Sequence, residues 1–110
     1  LLYKSQGRYS EAEPLYREAL EMRKRLLGDE HPDVASSLNN LAALYYNQGR
    51  YSDAEPLLID ALALFEQRLG PDHPSTKVVR GNLQELQNRP NRRGKKRGNL
   101  IRQLIDRFSS

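Results

Sequence analysis

The chain has 110 residues, of which 37% are hydrophobic and 29% charged, a balance that suits a thin, solvent-rich architecture better than a compact globule. It contains no cysteine, which excludes a disulfide framework and a thiolate metal site, and it has no apolar run near the roughly 20 residues that span a bilayer. The net charge of +4 hides a division: residues 1–88 hold 10 Lys/Arg against 13 Asp/Glu, whereas residues 89–110 hold 8 against 1.

Taken in order, the chain opens Leu1-Leu2-Tyr3 with neither a Met nor a signal-peptide pattern, as if inside a helix, so it is read as cut from something longer. A cytoplasmic location is expected. Gln6-Gly7-Arg8-Tyr9-Ser10 returns as Gln48-Gly49-Arg50-Tyr51-Ser52, Ala12-Glu13-Pro14-Leu15 as Ala54-Glu55-Pro56-Leu57, and His31-Pro32 as His73-Pro74, always 42 residues on. Residues 1–28 are then a partial first unit, 29–70 a complete second unit, and 71–88 the first helix of a third. Each unit predicts two helices. The first begins at His-Pro, with Pro32 or Pro74 near N1, where its missing N–H does no harm. It carries the apolar stripe Val34, Leu38, Leu41, Ala42 and Tyr45, and ends at Gly49. The second is expected to open on a capping box, Ser10 with Glu13 and Ser52 with Glu55. Its buried face is Ala54, Leu58, Ala61, Leu62 and Phe65, and Gly28 or Gly70 stops it. A helix pair of this kind cannot bury its stripe alone, so pairs stack into an α-solenoid: an all-α, right-handed superhelix of antiparallel helix pairs with a concave and a convex surface.

The third unit replaces Leu38, Ala42 and Tyr45 with Arg80, Gln84 and Gln87, which predicts a terminal capping helix over 71–88. Residues 89–99 are a basic stretch broken by Pro and Gly, predicted to be a flexible linker. Leu100, Ile101, Leu104, Ile105 and Phe108 then predict a short amphipathic helix and tail over 100–110.

His31-Pro32-Asp33-Val34-Ala35, Leu38-Asn39-Asn40-Leu41-Ala42, Tyr45, Gln48-Gly49-Arg50-Tyr51, Ala54-Glu55-Pro56-Leu57 and Ala61-Leu62 together resemble a tetratricopeptide repeat (TPR) of the kinesin light chain type, whose units are longer than the common 34 residues. The resemblance covers about residues 1–88. It implies a protein–protein interaction scaffold that takes a peptide segment of a partner protein in its concave groove, lined by first-helix positions. Carried over residue by residue, those positions are Ser36, Asn39, Ala43, Tyr46 and Asn47 in the second unit, Lys4 in the truncated first, and Glu85 in the third. The Asn39 amide can donate and accept, which suits a partner's main chain, and Tyr46 offers a broad ring with a polar tip.

No catalytic constellation, cofactor loop or metal motif is present in the sequence, and neither an enzyme nor a cofactor is expected. His31 and His73 lie beside carboxylates, but equivalent loops of successive repeats sit too far apart for ligands that must converge on one ion, so helix N-terminal structure is the favoured role. The basic tail, with Arg92, Arg93, Lys95, Lys96 and Arg97, is open to three readings. It is a solvated or non-native extension, a segment docking on the acidic array, or an electrostatic tether to nucleic acid or another polyanion. Self-association through the exposed edge of the array is a further expectation, as is a low, poorly cooperative melting transition for so few repeats.

Overall fold

In the computed structural model, residues 2–89 are described, with side chains from Arg8 onward. These residues form four helices: α1 (Leu2–Leu27), α2 (Pro32–Asn47), α3 (Tyr51–Leu69) and α4 (Pro74–Gln87). The connections are three or four residues long, so successive helices must turn back on one another. Each helix packs on the next, α1 on α2, α2 on α3 and α3 on α4, which is the stacking order of an all-α helical solenoid.

The His-Pro pairs start α2 and α4 as their sequence implies. His31 and His73 are the N-caps, both extended, and each places Nδ1 as acceptor for the backbone N–H two residues on, at 3.0 Å from Asp33 and 3.1 Å from Ser75. Pro32 and Pro74 follow in the first turn. The imidazole thus satisfies one of the orphan donors that every helix N-terminus leaves. At the other end of α2, Gly49 has φ +78°, its N–H donates to the Tyr46 carbonyl at 3.0 Å, and the Arg50 N–H donates to the Tyr45 carbonyl at 2.8 Å. Those two bonds are the Schellman arrangement, which needs a left-handed residue where Gly49 stands.

That turn overrides the expected capping box. Arg50, which has already closed the preceding turn, is itself the N-cap of α3 and makes no side-chain cap bond. Ser52 therefore lies inside the helix, and Arg50 Nε donates to Asp53 Oδ2 at 2.9 Å instead. The break expected at Gly7 also does not form. α1 runs unbroken through Gly7 and Pro14, so Ser10 caps nothing and Lys4 lies on α1 instead of on a separate first helix. Carrying one helix through a single glycine costs only about 1 kcal/mol relative to alanine.

The core matches the two predicted stripes. Val34, Leu38, Leu41, Ala42 and Tyr45 of α2 and Ala54, Leu58, Ala61, Leu62 and Phe65 of α3 are all buried. It is wider than those stripes, because α2 is covered from both sides and also buries Ala35, Ser37 and Leu44. By contrast, Leu20 is the one buried hydrophobic residue that α1 contributes among the described side chains, while Leu15, Met22 and Leu26 stand exposed. α4 buries Thr76, Val79, Leu83 and Leu86. Arg80, predicted to face outward on a capping surface, is half-buried and reaches Glu66 Oε2 at 3.3 Å and the Pro71 carbonyl at 3.0 Å, so it packs on α3. No described helix is long and apolar enough to cross a membrane.

Candidate functional site

Because α2 and α4 both pack on α3 in successive steps of the stack, their neighbouring faces bound a cleft. Its cavity is about 160 Å³, lined by Asn39, Ala42, Ala43, Tyr46 and Asn47 from α2, Leu58 from α3, and Asn82 and Glu85 from α4. Ala42 and Leu58, both buried, make an apolar floor. Asn39 and Tyr46 form half-buried walls, and Ala43, Asn47 and Glu85 stand at the exposed rim.

Five positions expected to line a groove, Asn39, Ala43, Tyr46, Asn47 and Glu85, are therefore brought together. Ser36 is half-buried on α2 and does not line this cleft. The side chains of Lys4, Arg92, Arg93, Lys95, Lys96 and Arg97, the basic linker beyond Arg89 and the amphipathic stretch over 100–110 lie outside the described residues.

The cleft has polar groups at both ends. Asn82 Nδ2 donates to Asn39 Oδ1 at 3.2 Å, which ties α4 to α2 directly. This leaves the Asn39 amide NH2 and the Asn82 carbonyl oxygen with bonding capacity to spare. At the other end Tyr46 Oη donates to Glu85 Oε1 at 3.2 Å and accepts from Arg89 Nε at 2.6 Å. The Arg89 guanidinium lies 5.1 Å from the Tyr46 ring centre and 5.7 Å from that of Tyr51, and the two rings meet edge to face at 5.2 Å. The hydrogen bond to Tyr46 and the field of both tyrosines raise the Arg89 pKa further above its already high value. Sequence reasoning missed Arg89, Tyr51 and the Leu58 floor as parts of the site. Arg89 looked like the first residue of a basic run, and only the end of α4 aims it back at Tyr46.

A second polar cluster binds α1 to α2 and α3. Glu13 accepts from Arg17 Nε at 3.1 Å, Tyr45 Oη at 3.0 Å and Arg50 Nη1 at 3.0 Å, while Arg17 also bonds the Tyr45 hydroxyl. The Arg50 guanidinium lies 4.2 Å from the Tyr45 ring centre. Arg17 foremost, then Tyr45 and Arg50, hold the Glu13 carboxyl below its ordinary range against the effect of burial. Burial, and after it the neighbouring Glu13, push the Tyr45 hydroxyl up. Glu13 on α1 thus accepts from Tyr45 on α2 and from Arg50 at the start of α3, which makes the cluster a clasp between helices.

Among the described residues no group of three or more His, Cys, Asp or Glu side chains is placed to hold a metal ion. A protein-family model, described as Tetratricopeptide repeat, matches the chain over residues 1–67 and again over residues 33–92.

Proposed function

This chain belongs to the tetratricopeptide repeat family, and on that premise we propose that it is an interaction scaffold that holds an extended segment of a partner protein in the cleft between α2 and α4. Members of this family are in general non-enzymatic scaffolds for protein partners. The kinesin light chain type, with its 42-residue unit, belongs to the proposal. Its support is the pair of equivalent His-Pro starts at α2 and α4, whose caps have the same geometry.

One observation carries the peptide reading: the Asn39–Asn82 amide pair stands beside an apolar floor in a cleft open to solvent. An extended chain presents a donor and an acceptor at every residue, and the remaining NH2 of Asn39 and oxygen of Asn82 complement them. At about 160 Å³ the cavity falls below the roughly 300–1,000 Å³ of sites that enclose a whole small molecule, and it suits one side chain of a longer ligand.

The test is capture of binding peptides from a display library by the full chain and by an Asn39→Ala/Tyr46→Ala variant, with circular dichroism confirming the fold of both. Peptides retained by the first and lost by the second support the reading. Peptides captured equally by both, or only through Arg92, Arg93, Lys95, Lys96 and Arg97 at low salt, would move the function away from the cleft.

A further inference from the structure

The Glu85 end of the cleft holds an unusual combination: a carboxylate, two aromatic rings set edge to face, and a guanidinium of the same chain lying against both rings. We propose that Tyr46, Tyr51 and Glu85 form a binding site for an arginine side chain of the partner segment, and that Arg89 occupies this site as an internal stand-in which the partner displaces. The inference rests on the reading of the cleft as a peptide site and adds the chemistry of what it selects.

Three features support it. The first is charge. Of the residues that line the cleft, Glu85 is the one with an acidic or basic side chain, so a cationic occupant is favoured and an acidic one is not. The second is the kind of cation. Tyr46 Oη accepts from Arg89 Nε while donating to Glu85, a relay in which each bond polarises the next. The flat guanidinium also lies against ring surface, which an ammonium group cannot match in both stacking and directed hydrogen bonds.

The third is that Arg89 uses the site incompletely. Its backbone N–H is bound to the Leu86 carbonyl at 3.1 Å, at the very end of α4, so its side chain reaches Tyr46 from a fixed root. From there it makes one hydrogen bond to the tyrosine, with no ion pair to Glu85 within 4.0 Å. An arginine from a free segment, not rooted at α4, can approach Glu85 with its two-pronged edge and form the parallel pair of bonds that carboxylates favour. Arg89 therefore keeps the rings and carboxylate occupied in the unbound protein while leaving a stronger contact to be made.

The experiment selects peptides from a random display library on the full chain and on its Arg89→Ala variant, then measures individual clones by fluorescence anisotropy. Arginine should recur at one fixed position of the selected peptides. Such a clone should bind Arg89→Ala about ten-fold more tightly than the unaltered chain, the factor by which a stand-in present nine-tenths of the time lowers apparent affinity. Replacing that arginine with citrulline, or adding Glu85→Gln to the Arg89→Ala protein, should remove the gain. Peptides that need Asn39 yet show no arginine preference would overturn this proposal and leave the peptide reading standing. Weaker binding by Arg89→Ala would also overturn it, since Arg89 would then be part of the binding surface. Selection of no peptide by either protein would overturn both.

Discussion

Asn82 and Asn39, 43 residues apart in sequence, meet through an Nδ2–Oδ1 hydrogen bond of 3.2 Å that joins the first helices of two successive units without passing through the helix between them. The residue one repeat after Asn39 is Gly81, so the partner stands one position beyond the equivalent site. The bond therefore reports how far α4 is rotated and advanced relative to α2. It also fixes the width of the cleft at the end opposite Tyr46.

The pair gives a measurable coupling. Asn39→Ala and Asn82→Ala should each lower stability by about 1 kcal/mol, and the double variant should lose less than the sum, with a coupling of roughly 0.5–1.5 kcal/mol. Urea unfolding of the four proteins checks it. Strict additivity would mean that the two amides do not hold the helices together in solution.

The buried stripes were legible because Leu38, Leu41, Tyr45, Leu58 and Phe65 fall at helical spacing, while Leu41 with Leu83, Ala54 with Ala12, and Leu62 with Leu20 return at the repeat period, two signals that agree. The cleft was legible in part from helical spacing, since Ser36, Asn39, Ala43, Tyr46 and Asn47 fall beside the stripe of α2, and of these five Ser36 alone does not line the cleft. Local signals failed where tertiary geometry competed with them. Ser52 has the spacing of a cap, yet the turn at Gly49 makes Arg50 the last residue outside α3. Arg80 is polar, yet Glu66 and the Pro71 carbonyl give it a reason to lie against α3. The place of Arg89 depends on where α4 stops and how its side chain folds back, which no periodicity encodes.

Two glycines should respond to alanine with opposite signs. Gly49 has φ +78° with no atom within 4 Å of an added Cβ, so the penalty of Gly49→Ala is conformational, about 1 kcal/mol. Gly81 sits inside α4, also with open space around an added Cβ, and there alanine removes the entropic burden of glycine. Gly81→Ala should stabilise by roughly 0.5–1 kcal/mol. Thermal unfolding of the two variants separates the cases, and a loss of stability in Gly81→Ala would contradict the open helix surface described here.

The Glu13 clasp sets an acid limit. Its carboxyl is held below the ordinary range, first by Arg17 and then by Tyr45 and Arg50. A group with a lower pKa folded than unfolded stabilises the fold fully above its unfolded value, and that contribution is lost as pH falls through the folded value. Glu13→Gln should therefore lower stability at neutral pH by about 1 kcal/mol, a modest figure because the Arg17 and Arg50 partners are solvent-exposed. The difference from the unaltered chain should narrow as pH falls below the ordinary glutamate range. A difference that stays constant with pH would show that the clasp works through shape and neutral hydrogen bonds alone.

Packing is unequal along the stack, and hydrogen exchange should follow it. α2 is covered by α1 on one side and α3 on the other, whereas α1 contributes only Leu20 to the buried core among its described side chains and leaves Leu15, Met22 and Leu26 in solvent. Opening α1 removes one helix interface, while opening α2 removes two. Amide protection should therefore be lowest in α1, intermediate in α4 and highest in α2 and α3, with no single cooperative opening shared by all four. Run at two protein concentrations, the same measurement reports self-association through the exposed α1 edge, which would raise α1 protection as concentration rises. Uniform protection across the helices at low concentration would instead mean that the stack opens as one unit, and that the Glu13 clasp supplies α1 with what its apolar contacts do not.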